Sequence, residues 1–232
     1  MRSRDVRATT AGVLFIAATA TSLIATAFLG SFLKGPDVLA TVALHQNRLL
    51  VAALFQLLAA FTSAAIAVTL YPVLRQYAAG MALGAVAFRL IEGVFYALSA
   101  AGTLIIVSLS AQLTAGVSAH AAADLLRDLR DSAGTVGVLA FYTGATLYYL
   151  VFYRSLLIPR WLSVWGLAGT ALGLAAGLLV LFQSIAVLSS TQVVLNLPIA
   201  VQEMVLAVWL IVKGFSPKST ALTQPAAELS PA

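Results

Sequence analysis

The chain has 232 residues, 61% of them hydrophobic and 9% charged, where a soluble domain runs at about 45–50% apolar and 25% charged. A core of this length cannot hide so much apolar surface, because small domains leave much of their area at the boundary, so a soluble fold is excluded. The formal net charge is +5 and cysteine is absent. The cations sit in short connections and tails between apolar runs, which sets nucleic acid aside as a partner, and the missing thiols remove disulfides, thiolate metal sites and cysteine nucleophiles.

A spanning helix needs about 20 mostly apolar residues. In chain order, six runs qualify: 11–32, 49–70, 81–109, 133–153, 161–187 and 193–212. The first follows "MRSRDVR" and is longer than the 7–15 residues of a signal-peptide apolar region, so it reads as a span. The third exceeds the bilayer requirement and should tilt or project. Barrel strands alternate over about ten residues, and these runs are continuous. The expected fold class is therefore an all-α integral membrane protein, a bundle of six transmembrane helices filling residues 1–215, with the lipid bilayer as partner. Between the third and fourth runs, "VSAHAAADLLRDLRDSAG" reads as a solvated linker helix, with an amphipathic interfacial turn as the alternative. From 216 to 232, "SPKSTALTQPAAELSPA" is rich in Pro, Ser, Thr and Ala and reads as a disordered cytoplasmic tail.

Lys and Arg in short loops set orientation. With the N-terminus cytoplasmic, the inner side holds Arg2, Arg4, Arg7, Arg75, Arg154, Arg160, Lys213 and Lys218. The outer side holds Lys34, Arg48, Arg127 and Arg130, beside Asp37, Asp124, Asp128 and Asp131. That bias places both termini in the cytoplasm, as six helices require. A faint echo between "TAGVLFIAATAT" and "TVGVLAFYTGAT" is what an inverted duplication of three helices would leave, although shared Gly, Ala, Val and Thr explain it equally.

Inside the third run, "FRLIEG" carries two charges. Arg89, Glu92, Tyr96, Ser99 and Thr103 follow a 3,4,3,4 spacing that puts them on one helix face. In the sixth run, Asn196 and Glu203 share a face, with Gln202 adjacent. The fourth adds the stripe Tyr142, Thr146, Tyr149 and Tyr153, and the second adds Gln56 and Ser63. A charge at the centre of a span costs about 2.5–3.5 kcal/mol, against about 0.3–0.6 returned by each Leu, Ile, Phe or Val. Arg89 and Glu92 must therefore face the bundle interior and be paired. Arg89 reaches Glu92 along its own helix, and its planar fork has donors left for Glu203 or the tyrosines. One arginine with two glutamates leaves one excess negative charge or one retained proton. The candidate polar cluster is thus Arg89, Glu92, Glu203, Tyr96, Asn196 and Gln202.

Enzyme signatures are poor. His45 and His120 fall at a helix entrance and in the outer loop, which excludes bis-histidine haem ligation within the membrane and a Ser–His intramembrane protease. There is no H-E-x-x-H and no phosphate-binding glycine loop, so no catalytic, metal or cofactor residue is assigned. Trp161 and Trp165 in "IPRWLSVWG" read as interfacial anchors. Gly166, Gly169, Gly173 and Gly177 read as a close-packing stripe.

The pieces "AVTLYPVLRQY", "ALGAVAFRLIEGVFY", "IPRWLSVWGLAG" and "LPIAVQEMVLAVWLIVKGF" together resemble a bacterial multi-pass membrane family known only as domain of unknown function 4386. The resemblance spans roughly residues 10–215 and implies a helical protein of a bacterial plasma membrane. It carries no activity over. Two function classes stand: a small-solute or proton-coupled transporter using the Arg/Glu cluster, or a non-catalytic regulator or assembly partner in which the cluster clamps helices together.

Overall fold

The structure, a computed structural model, describes residues 6–33, 35, 37–111 and 117–216. The charges at positions 2, 4, 34 and 218, and the tail beyond Ser216, lie outside these residues. Every regular element among the described residues is helical: α1 (Val6–Leu29), α2 (Val38–Leu44), α3 (Gln46–Ser110), α4 (Val117–Ser155), α5 (Arg160–Leu181) and α6 (Ser190–Val212). All but α2 are long and apolar enough to cross a membrane.

The burial pattern is inverted relative to a soluble protein. Phe61, Val94, Val194 and Val208 are each more than half exposed, whereas Arg89, Glu92, Ser99 and Gln202 are buried. Apolar side chains turned outward and polar ones turned inward minimise free energy only when the surroundings are hydrocarbon.

Besides the fifth run, which ends at Leu181 rather than at 187, two boundaries differ from the sequence expectation. The runs 49–70 and 81–109 are not separated by a loop. They belong to the single 65-residue α3, whose helical conformation lapses only at Ala78 (φ −156°, ψ 84°). Residues 73–77 contain no glycine and support helix, Pro72 notwithstanding, so the reversal is compressed into the small residues Ala78, Ala79 and Gly80. In an unbroken helix, positions 60 and 93 would stand about 50 Å apart. Instead, a Cβ on Gly93 would lie 3.3 Å from the Ala60 carbonyl oxygen, and Arg89 reaches Ser63. The arms, α3a (46–77) and α3b (79–110), therefore fold back on each other. The second difference concerns the expected linker helix, which is the first part of α4 and continues into the fourth apolar run without a break. At about 1.5 Å per residue, α4 is roughly twice as long as a 30 Å hydrocarbon layer is thick, so it projects.

The helices form a ring in the order α1, α3a, α3b, α4, α5, α6, closing back on α1. Glycines set the close crossings. A Cβ on Gly12 of α1 would meet the Ala207 carbonyl of α6 at 2.6 Å, and one on Gly144 of α4 would lie 3.3 Å from the Ala85 carbonyl of α3b. On α5 the small residues do something more specific than general packing. Gly166 faces the ring of Tyr149 and Gly173 faces the ring of Tyr142, the two tyrosines and the two glycines both being seven apart. A Cβ at either position would overlap its tyrosine ring, so α5 seats the α4 tyrosines and lets them extend toward α6.

One end of the ring is an apolar, closely packed core: Leu70, Leu74, Phe152, Leu157, Leu162, Leu206 and Leu210 are all nearly inaccessible. Gly214 ends α6 in the left-handed region (φ 69°) and turns Phe215 back against Phe152. This end carries Arg7, Arg75, Arg154, Arg160 and Lys213 and no described carboxylate; it is called the basic end below. The opposite end carries both signs, with Arg127 near Asp124 (3.2 Å) and His120 near Asp37 (3.7 Å). His45 caps α2 there and stacks on Phe32.

Substituting Gly173→Ala should destabilise the protein by about 1–3 kcal/mol, the usual cost of overpacking a filled interior. Combining it with Tyr142→Ala should cost less than the two single changes together. Thermal denaturation of the four proteins in one detergent measures this; strict additivity would mean the glycine does not seat the ring.

Candidate functional site

The centre of the ring is bridged by side chains rather than by backbone contact. Arg89 leaves α3b in the third of that segment nearer the basic end. One guanidinium nitrogen, Nη1, donates to Ser63 Oγ on α3a at 2.9 Å and to Glu92 Oε2 at 3.1 Å. The other, Nη2, donates to the Tyr148 hydroxyl oxygen on α4 at 2.9 Å and to Glu203 Oε1 on α6 at 3.5 Å. The Tyr148 O–H in turn donates to Glu203 Oε1 at 3.2 Å. A single planar fork thus ties four helical segments together, which only arginine's fixed donor geometry allows.

The environment explains why the cation tolerates burial. Its Cζ lies 4.4 Å from the centroid of the Phe141 ring and 5.4 Å from that of Tyr148, so the ring faces stabilise a cation buried from the surroundings. Gly144 removes the side chain that would crowd Arg89 Cγ, and Gly93 lets α3a approach. Arg89 Nε is buried with no hydrogen-bond partner among the described residues.

A cavity of about 450 Å³ begins at this cluster and extends toward the end opposite the basic one. Its floor is Phe15, Ile66, Arg89, Phe141 and Glu203, and its far rim includes Gly30, Leu33, Leu188 and Gln192. On the other side of the floor begins the apolar core around Leu70, Phe152 and Leu206. The site is therefore one-sided: packed on the basic side, bordered by the cavity on the other.

Of the six residues picked out in the sequence, Arg89, Glu92 and Glu203 come together directly. Tyr96 lines the cavity one turn above Glu92, and its hydroxyl makes no hydrogen bond among the described residues. Asn196 lines it from α6 and accepts from the Tyr142 hydroxyl at 2.8 Å. Gln202 is not with them. It points into the adjacent packed layer, accepting from the Tyr149 hydroxyl and donating to the Leu162 carbonyl at 3.0 Å, and it joins α4, α5 and α6. Glu203 is the most open of the charged trio, with a side chain 12% exposed against 4% for Glu92 and 3% for Arg89.

Sequence reading missed Tyr148. The stripe Tyr142, Thr146, Tyr149 and Tyr153 drew attention to the neighbouring face, whereas Phe141, Ala145, Tyr148 and Phe152 form a second stripe with heptad spacing. That second stripe is the one facing Arg89, and a tyrosine within it was the available signal. Arg130 and Asp131 were also read as loop charges. They lie inside α4 on the cavity wall, paired with each other, while Arg130 Nε donates to Thr103 Oγ1 at 2.8 Å. No group of three or more metal-ligating side chains occurs among the described residues.

Inward polar residues and outward apolar ones define a membrane-embedded helical protein with a central polar cluster. Over residues 10–214 the chain matches the family described as Domain of unknown function (DUF4386), and it belongs to that family. No curated protein and no solved structure matches it.

Arg89→Ala should destabilise the protein by about 3–5 kcal/mol, because it leaves two buried carboxylates without their counterion. Adding Glu92→Gln and Glu203→Gln to that variant should recover part of the loss. Arg89→Lys should recover little, since an ammonium cannot reach Ser63, Glu92, Tyr148 and Glu203 at once. Melting temperatures in detergent check all three; a lysine variant as stable as the parent would show that charge alone, not the fork, holds the ring.

Proposed function

We propose that the protein is a non-enzymatic small-solute or proton-coupled transporter of a bacterial plasma membrane, with the Arg89–Glu92–Glu203 cluster as its substrate-handling site. The observation that carries this reading is the one-sided cavity that ends on the cluster. In this reading α1, α3a, α3b, α4, α5 and α6 make six crossings. The basic end, with Arg75, Arg154, Arg160 and Lys213, faces the cytoplasm, as the positive-inside rule requires. Both termini are then cytoplasmic and the cavity faces outward.

Passage inward requires the floor to open, and the floor is held by the bond from Arg89 on α3b to Glu203 on α6. A proton or a cation arriving at Glu203 cancels the charge that attracts Arg89. The ion pair between the segments α1–α3b and α4–α6 is then lost, and the Arg89–Tyr148 hydrogen bond and the packed core are the contacts left to part in an alternating-access scheme. The ring order is the one a three-plus-three inverted duplication gives, and also the one any up-and-down ring of six gives.

A second reading has its own observation. All the Nη donors of Arg89 are directed at protein acceptors, as a purely structural clamp would have them. The protein would then be a regulator or assembly partner, and no solute would reach Glu203.

The natural absence of cysteine allows a direct test. Ala18→Cys and Gln56→Cys, both on the cavity wall, should react with a membrane-impermeant methanethiosulfonate added outside sealed vesicles. Leu74→Cys and Leu206→Cys, in the packed half, should react only after denaturation. Unreactive cavity positions would leave the clamp; labelling only from the inside would invert the orientation.

A further inference from the structure

The cavity's charge and its unpartnered groups specify a ligand class. The titratable and charged groups facing it are Arg89, Glu92 and Tyr96 from α3b, Arg130, Asp131 and Tyr142 from α4, and Glu203 from α6. The lining residues of α1, α3a and α5 include none. Two guanidinium groups thus meet three carboxylates, which leaves one excess negative charge.

Geometry places that excess. Arg130 pairs with Asp131, and Arg89 sits closer to Glu92 (3.1 Å) than to Glu203 (3.5 Å). Glu203 uses only Oε1, accepting from Arg89 and Tyr148; its Oε2 accepts nothing from the described residues. The lining of the cavity that Glu203 enters includes the aromatic side chains Tyr96, Phe141 and Tyr142, together with apolar residues and uncharged polar ones such as Ser22, Gln56 and Asn196. Aromatic faces attract cations and repel anions. With a neutral solute the excess charge would still need a proton on a carboxylate, whereas a cation can replace that proton and an anion would add to the charge. At about 450 Å³ the space lies within the range of small-molecule sites, about 300–1,000 Å³.

We propose that the cavity binds a compact organic monocation with apolar substituents, its positive centre against Glu203, in exchange for a proton on that carboxylate. The proposal deepens the transporter reading and rests on it. The amide of Gln56, the hydroxyl of Tyr96 and the Asn196 side-chain nitrogen have no hydrogen-bond partner among the described residues. They stand ready for whatever polar substituent the cation carries.

The test uses the full chain in phosphatidylcholine nanodiscs. The probe is benzyltrimethylammonium, whose fixed charge cannot be lost, compared with its carbon isostere neopentylbenzene and with phenylacetate. Calorimetric titration should show saturable binding of the cation alone. Its affinity should fall as the pH is lowered, since protons compete for Glu203. Two buffers of different ionisation enthalpy should reveal proton release on binding. Glu203→Gln should weaken binding by about tenfold or more, as expected for loss of a charged partner. The isostere and pH comparisons need no variant, so they hold even if Glu203→Gln fails to fold. No saturable binding of the cation, affinity independent of pH, or equal binding of neopentylbenzene or phenylacetate would overturn the proposal. With Ala18→Cys and Gln56→Cys reactive from outside, such a result removes only the ligand class; with both unreactive, the transporter reading itself fails.

Discussion

A guanidinium cannot be left facing hydrocarbon, and much of this structure follows from how Arg89 avoids it. Insertion of one such charge at mid-span costs as much as several leucines return. The cost is offset here by hydrogen bonds to Ser63, Glu92, Tyr148 and Glu203 and by the face of Phe141. Those partners come from α3a, α3b, α4 and α6. Satisfying Arg89 therefore fixes the rotation of α3a, α3b, α4 and α6 about their axes, in a medium where apolar packing alone discriminates weakly between rotations. Interhelical hydrogen bonds in membranes are individually worth only about 0.6 kcal/mol on average, so specificity here comes from one donor group serving several acceptors.

Glycine placement makes that arrangement reachable. Gly93 and Gly144 bring α3a and α4 close to Arg89, and Gly166 and Gly173 create slots for Tyr149 and Tyr142. The tyrosines then carry hydroxyl groups across to Gln202 and Asn196 on α6. The two halves of the ring are filled differently. Toward the basic end, Leu, Phe and Tyr side chains pack to exclusion. Toward the other end, the inward positions are small or short, as with Ala18, Ser22, Ala52, Ala59, Gly134 and Ala200, and a cavity remains. The cluster lies where the two regimes meet, so it is desolvated from one side and approachable from the other.

The helical class was legible from composition and run length because hydrocarbon imposes a length of about 20 apolar residues on anything that crosses it. The inward orientation of Arg89, Glu92 and Glu203 was legible for the same reason: the cost of exposing a charge leaves few alternatives. Other features were not. The hairpin at Ala78 replaces a loop, and neither Pro72 nor Gly80 marks the residue at which helical conformation lapses. The continuity of α4 was not legible either, since charged residues 124–131 read as a solvated linker helix separate from the fourth apolar run. Gln202 was grouped with Glu203 by adjacency, although consecutive helical positions point about 100° apart and it serves a different layer. Tyr148 was passed over because two aromatic stripes share α4 and only tertiary structure shows which one meets the arginine.

The claim that everything else leans on is that Arg89 reaches across the ring to Glu203. A double-mutant cycle measures it most directly, using Arg89→Ala, Glu203→Gln and their combination, with stability read by thermal or denaturant unfolding in one detergent. Groups in direct contact couple by about 0.5–3 kcal/mol, and a value in that range is the predicted result. A coupling energy indistinguishable from zero would contradict the account. It would leave Arg89 tied only to Glu92, Ser63 and Tyr148, and the floor of the cavity without its bond from Arg89 to α6.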